Sequence, residues 1–397
     1  MIRTGTARRS APARPALVTP AFVTVTLAAL AYFTGDGVLI PAVPRYTHGP
    51  LRAGDVAVGL VVAAFSLSAF FLRPWAGRVA DRWGRRPLLL AGAGLFAAST
   101  LAYGLASSPA PLAGLRLLTG AGEALFWVGA LTAVADLAPA ERRGEAMSLA
   151  SLSLYMGIGV GPLLGELAID RLGFAAAWAL AAGCGLVAVA LALRVPDTRP
   201  DNPDPGGPPV RHRLVHPAGL LPGLLLLAGI TGMAGFLTFV PLYALDLGLD
   251  GSRGVLLLFA AIVVGIRSLG ARLPDRLGAA RATRAAMALT AAGLAVAGAW
   301  RTPAGLVVGT AVFAVGVALL TPAVLTLAVE AVGPRERGAV LGTTSSFLDL
   351  ALGLGPATLG LVAAAAGRPG VFLGGAAVAA AGLLLAWARP GRLRAGR

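Results

Sequence analysis

Apolar residues in this chain come in long runs separated by short polar, arginine-bearing segments. The first run reaches from Phe22 to about Val43. Eleven more follow near residues 56–75, 88–107, 112–135, 147–169, 174–193, 220–243, 255–270, 284–300, 304–329, 339–365 and 371–387. A helix of about twenty apolar residues spans the hydrocarbon of a bilayer. The pattern therefore predicts an all-α membrane protein with twelve transmembrane helices. Residues 1–19 carry Arg3, Arg8, Arg9 and Arg14 among Ala, Pro and Thr, in the manner of a signal n-region. The run behind them is too long for a signal core and lacks a small-residue cleavage site, which predicts a retained first helix.

Composition agrees with lipid as the principal solvent. Of 397 residues, 57% are hydrophobic and 13% charged, and the mean hydropathy is +0.79. The formal net charge of +15 comes from Arg alone and would ordinarily raise nucleic acid as a partner. Nucleic-acid binders gather charge on one face, whereas here small Arg groups alternate with apolar runs, so nucleic acid is excluded. Counted in alternating connections, 26 of the 33 Arg residues fall on one side and six on the other, with Arg116 inside a helix. Positive residues near helix ends stay cytoplasmic. The count predicts a multi-pass protein of the inner (plasma) membrane with an even number of spans and both termini cytoplasmic. The lone Cys184 cannot form an internal disulfide, and His212 and His216 have metal-pair spacing but no acidic or Cys ligand beside them. No metal site and no cofactor are expected.

The stretch from Pro196 to Pro217, rich in Pro, Gly and charge, reads as a linker. It divides the chain into a cytoplasmic tail (1–19), a six-helix bundle (20–194), the linker (195–217), a second six-helix bundle (218–388) and a cytoplasmic tail (389–397). The halves repeat at an offset of 194: Arg73 matches Arg267, Arg78 matches Arg272, Asp81-Arg82 matches Asp275-Arg276, and Gly84 matches Gly278. Arg143-Gly144 likewise matches Arg337-Gly338, and Gly161-Pro162 matches Gly355-Pro356. Nine identities at one offset, in one order, indicate an internal duplication and two pseudo-symmetric bundles.

After the second run comes Gly77-Arg78-Val79-Ala80-Asp81-Arg82-Trp83-Gly84-Arg85-Arg86-Pro87. Glycine permits a tight turn between helix ends, Asp81 can cap a helix, and the Arg cluster holds the segment in the cytoplasm. This segment resembles the G-x-x-x-D-R-x-G-R-R loop of the major facilitator superfamily, with Asp275 and Arg276 as its eroded copy. Arg116-x-x-x-Gly120 in the fourth run is similar to that superfamily's R-x-x-x-G motif. Gly157-x-x-x-Gly161-Pro162-x-x-Gly165 resembles its antiporter motif, except that Glu166 stands where a second terminal Gly is usual. The alternative reading of those glycines is a packing seam. The resemblance covers the whole chain and implies a twelve-helix drug or metabolite:proton antiporter.

Four ionisable residues fall inside the predicted spans: Asp36, Arg116, Glu123 and Asp349. Their repeat mates are Ile230, Thr310, Val317 and Tyr155, none of them charged. An intramembrane charge costs at least ~2.5–3.5 kcal/mol, so each calls for a partner, a cavity or a function. Arg116 and Glu123, seven apart, share one face of a helix with Gly120 and Trp127. Tyr32 and Asp36 share a face in the first helix. The resemblance implies that Asp36 pairs with Arg116 at a central cavity; a static buried ion pair is the alternative. Asp36, Arg116, Glu123, Asp349, Tyr32 and Trp127 are the candidates for proton coupling and substrate contact, with Glu123 expected to favour cationic substrates. An enzyme is not expected, because no intramembrane His or Asp pair offers a catalytic set. The expected function is proton-coupled efflux of a small lipophilic or amphipathic compound by a monomer. Uptake by symport and a transport-inactive sensor are the alternatives on the same scaffold.

Overall fold

The computed structural model describes residues 18–139, 143–198, 216–269, 278–332 and 337–388. The helices of the first half are α1 (Pro20–His48), α2 (Asp55–Trp83), α3 (Arg85–Leu101), α4 (Pro109–Leu137), α5 (Arg143–Leu172) and α6 (Phe174–Ala192). Those of the second are α7 (Pro217–Asp246), α8 (Arg253–Leu269), α9 (Ala279–Ala299), α10 (Pro303–Glu330), and the stretch Arg337–Ala388. Gly367, at φ 71°, breaks that stretch into α11 (337–366) and α12 (368–388). The described residues thus hold the twelve expected helices in two pseudo-symmetric six-helix bundles.

Most helices overrun their apolar runs by several residues, because polar caps and prolines extend them past the lipid. Thr19 Oγ1 accepts from Phe22 N at 3.2 Å and Thr302 Oγ1 from Gly305 N at 3.1 Å. Proline opens α1, α4, α7 and α10, where its missing N–H costs nothing. The surface between the ends is apolar: Phe71 is 71% exposed and Leu105 84%. A surface of long apolar helices exposed in this way fits a lipid environment. Exposed Trp83, Trp300 and Trp387 stand at helix ends, as in an aromatic belt.

The segment from Gly77 to Pro87, read as a loop in sequence, is almost wholly helical. Gly84 alone separates α2 from α3, at φ 90° and ψ 175°, a region open in practice to glycine only. Its mate Gly278 (φ 77°) opens α9 in the same way. A second mated pair, Gly173 (φ 83°) and Gly367 (φ 71°), divides α5 from α6 and α11 from α12. The duplication is thus written in backbone dihedrals as well as in identities. Arg82 is exposed and Arg85 buried. Arg85 Nε donates to Asp136 Oδ2 at 2.8 Å, and Nη1 to the Ala80 carbonyl at 2.9 Å. The side chain of Asp81, together with Asp275 and Arg276, lies outside the described residues, as does most of the expected linker.

Within the first bundle α1 packs on α5 and α6, and α4 on α2 and α3; in the second α7 packs on α11 and α12, and α9 on α10. The glycines of the helix-five motif seat α5 on α1. A methyl group on Gly165 would fall 2.7 Å from the Val38 carbonyl, and one on Gly161 2.6 Å from that of Thr34. Among the described residues two main seams join the bundles, α2 against α11 and α5 against α8, with a smaller contact of α1 on α7. Both are lined by small residues. A methyl on Gly360 would meet the Asp55 carbonyl at 2.9 Å, and one on Gly159 the Ala260 Cβ at 2.8 Å.

At the end remote from the chain termini, polar clasps close both seams. Glu166, fully buried in α5, accepts from Ser252 N at 2.7 Å, Ser252 Oγ at 2.6 Å and Arg253 N at 2.8 Å. It therefore caps α8 of the other bundle, where a carboxylate also complements the helix dipole. Asp170 adds Arg45 at 3.1 Å and Arg253 at 3.5 Å. Across the α2–α11 seam, Arg368 reaches Asp55 at 3.4 Å, Asp246 at 2.6 Å and His48 Nε2 at 2.9 Å. Glu166→Ala removes one clasp and strands two buried N–H groups, a loss of about 2 kcal/mol. Spin labels at Leu172 and Asp250, in a Cys184→Ser background, should gain a longer-distance population in that variant. An unchanged distance distribution would show that Glu166 does not hold the seam.

Candidate functional site

Between the bundles lies a cavity of about 380 Å³. Six charged side chains line it, three acids (Asp36, Glu123, Asp349) and three arginines (Arg73, Arg116, Arg267). The rest of the wall is largely apolar and aromatic, including Phe33, Phe65, Trp127, Tyr155 and Phe259. The volume suits a small organic molecule.

Arg73 is the centre of the charge network. Counted by sequence among the residues of a cytoplasmic connection, it instead sits inside α2, ten residues before Trp83. Its Nη2 donates to both Glu123 oxygens, at 3.0 and 3.3 Å, and its Nη1 donates to Asp349 Oδ1. Glu123 belongs to α4 of the same bundle and Asp349 to α11 of the other. One guanidinium therefore answers a buried carboxylate, Glu123, and a half-buried one, Asp349, and ties the bundles together through the wall of the cavity. Hydropathy treats an arginine near the end of an apolar run as the run's border, which is why Arg73 escaped the sequence reading. The signal that marks it is its repeat mate.

That mate, Arg267, also at the polar end of an apolar run, likewise lies in a helix, α8, on the cavity wall. The residue facing it is Tyr155 of α5, whose ring centroid is 4.2 Å from the guanidinium carbon. Tyr155 is the repeat mate of Asp349. The duplication has thus placed the same contact on both seams, once as arginine on carboxylate and once as arginine on an aromatic face. Arg267 has no acidic partner among the described residues, and its Nε is buried without a hydrogen bond.

Arg116, only 6% exposed, has no acidic partner within 4.0 Å among the described residues either. Its guanidinium stacks on Phe65 at 4.5 Å, and its Nε and Nη1 are buried without hydrogen-bond partners. Gly120 lets α4 approach α2 closely enough for this: a methyl group there would fall 2.8 Å from the Phe65 carbonyl carbon. Among the described residues no ion pair within 4.0 Å joins Asp36 to Arg116; the two face one cavity, and Arg116 and Glu123 are the charges that bear on Asp36. The expected pairing therefore falls to Arg73 with Glu123 and Asp349. Glu123, expected to favour cationic substrates, has its carboxylate occupied by Arg73.

Trp127 lines the cavity beside Phe33, at 5.2 Å between ring centroids. Tyr32 does not line it. It lies behind the wall, stacked on Phe126 at 4.1 Å and tilted against Phe96 at 4.6 Å, with no surface exposed. Its spacing from Asp36 placed both on one helical face in sequence, but the aromatic packing of α1 on α3 and α4 takes the ring into the bundle core.

Two helical bundles that close on a charged cavity between them define a membrane transporter. The chain belongs to the Major Facilitator Superfamily, which it matches over residues 25–300. It is 27% identical over 373 residues to the uncharacterized MFS-type transporter YhhS of Escherichia coli (strain K12), covering 92% of this chain and 91% of that protein. Against YhhS of Salmonella typhi the identity is 28% over 382 residues, with coverage of 92% and 91%. Among solved structures, a POT family transporter in complex with a thioalcohol conjugated peptide superposes with a TM-score of 0.79 at 12% identity, covering 94% of this chain and 96% of that one. A bacterial homolog of the human lysosomal transporter Spinster superposes with a TM-score of 0.74 at 16% identity, covering 95% and 97%. These likenesses establish the fold.

Removing one member of a buried ion pair typically costs about 3–5 kcal/mol, because the partner's charge is left uncompensated. Arg73→Met should accordingly lower the thermal midpoint of the detergent-purified protein. Neutralising both acids in the same protein, as Arg73→Met/Glu123→Gln/Asp349→Asn, should recover most of the loss. A triple variant no more stable than Arg73→Met would show that the network does not balance charge in this way.

Proposed function

We propose that the protein is a proton-coupled secondary transporter that exports a small lipophilic or amphipathic compound by alternating access, acting as a monomer with both termini in the cytoplasm. The observation that carries this reading is the bridge from Arg73 to Glu123 in its own bundle and to Asp349 in the other. A proton arriving on Asp349 removes the charge that holds the cross-seam contact. Arg73 then remains with Glu123, and the bundles 20–194 and 218–388 lose their tie at the cavity wall. Loss of the proton restores it. The acid sits where its charge state controls both the cavity and the contact between bundles, which is what coupling requires.

Orientation follows from the arginine asymmetry, which survives the removal of Arg73 and Arg267 from the cytoplasmic side of the count. With the termini inside, the clasps of Glu166, Asp170 and Arg368 lie at the extracytoplasmic end, and the described conformation is shut on that side. Efflux is favoured by the antiporter-type glycines of α5 and by the apolar wall. Uptake by symport would run the same parts in the opposite sense.

In proteoliposomes, Asp349→Asn should reduce proton-driven flux at least about tenfold while leaving substrate exchange at equal pH measurable. Asp36→Asn, in which no inter-bundle contact is lost, should retain more of the driven flux. Undiminished driven flux in Asp349→Asn together with its loss in Asp36→Asn would move the proton carrier to Asp36.

A further inference from the structure

Resting on the reading of the central cavity as the substrate site, we infer that the substrate carries an anionic group, a carboxylate or its equivalent, which is received by Arg267 beside Tyr155, with Arg116 as a second donor. The pseudo-symmetry makes the case. On the α2–α11 seam, Arg73 is answered by a carboxylate of the protein, Asp349. On the α8–α5 seam the equivalent arginine faces Tyr155, a ring without charge, at the position where the first seam supplies its acid. The protein has thus built the cation twice and the cross-seam counter-charge once.

The donor inventory points the same way. Of the three cavity arginines, Arg73 spends its terminal nitrogens on Glu123 and Asp349. Arg116, 94% buried by its 6% exposure, keeps Nε and Nη1 without partners, and Arg267 keeps Nε without one. A buried guanidinium with open donors is a costly arrangement, and a bidentate anion relieves it. The acids give a cationic substrate less: Glu123 and Asp349 are both taken by Arg73, and only Asp36 stands unpaired. The cavity wall includes apolar Phe259, Val263, Met233 and Ile40, so the ligand class is an amphipathic anion whose hydrophobic body fills the cavity while its charged end meets the arginine. This reverses the expectation of a lipophilic cation.

The reading also assigns a difference between the seams. The Arg73 seam is closed by the protein itself and opens when protonated. The Arg267 seam is completed by the substrate, so that occupancy and protonation act on opposite sides of one cavity.

The test is a matched series of one hydrophobic body with three end groups: 2-naphthoate, 2-naphthylmethanol and 2-naphthylmethylamine. Binding to the full-length purified protein in nanodiscs is followed by fluorescence of Trp127, with the Trp127→Phe variant as the reference for signal from other tryptophans. The wild type should bind naphthoate at least about tenfold more tightly than the alcohol, and the amine most weakly. Arg267→Gln should abolish the preference for naphthoate while leaving affinity for the alcohol within about twofold; Arg267→Lys should retain part of it. Equal affinities across the series, tighter binding of the amine, no binding of any member, or an unchanged preference in Arg267→Gln would each overturn the inference. If the Arg267 variants fail to fold, the wild-type series alone decides. The outcome is separable from the transport reading: naphthoate preference without proton-linked flux would uphold the anion site and reject the coupling, and flux without the preference would do the reverse.

Discussion

Everything in the centre of this protein answers to the cost of charge in a medium without water. Two carboxylates, Glu123 and Asp349, are held in the wall of a cavity lined largely by aromatic and aliphatic groups, and a single guanidinium serves both. Because the two acids belong to different bundles, the electrostatic need of the interior and the attachment of the halves are met by the same contact. Neither could be altered alone. The apolar lining, the small residues that allow α2 to approach α11, and the depth of Arg73 within α2 all serve that arrangement.

The duplication explains why the site has the shape it does. Gly84 and Gly278, and Gly173 and Gly367, make four helix corners at positive φ in matched positions. The seams α2–α11 and α5–α8 are matched as well, and Arg73 and Arg267 stand at equivalent points on them. What differs is the set of side chains added to this frame: Asp349 against Tyr155, Glu123 against Val317, Arg116 against Thr310. Symmetry supplies the scaffold and its breaking supplies chemistry.

The sequence made the helices, their number and the internal repeat legible, since each depends on hydrophobic length or on order along the chain. It also marked Asp36, Arg116, Glu123, Asp349 and Trp127, all of which line the cavity. Contacts made across the interface were not legible. Arg73 and Arg267 looked like the polar borders of apolar runs, because a hydropathy reading has no means of telling a charge that faces lipid headgroups from one that faces an interior space. Glu166 looked like a lapse in a glycine motif; its role depends on Ser252 and Arg253, eighty-six and eighty-seven residues away. Tyr32 shares a helical face with Asp36, yet the packing of Phe96 and Phe126 decides which way its ring goes.

The seams between the bundles have a kinetic meaning. At Gly59 and Gly360 backbone faces backbone, and at Gly159 only the Cβ of Ala260 stands between the helices. Surfaces of that kind do not interlock, so one bundle can roll on the other without forcing rotamer changes in a packed core. In the proposed cycle, the polar contacts that must part are the Glu166 cap, the Arg368 cluster and the Arg73 bridge. Of these contacts, the Arg368–Asp246 arm is exposed enough to be screened by salt, whereas the buried Glu166 cap and Arg73–Glu123 pair are screened far less and answer chiefly to the dielectric around them. On the proposed alternating-access reading, those polar contacts set the speed of the conformational cycle, while the long apolar surfaces between them act as bearings.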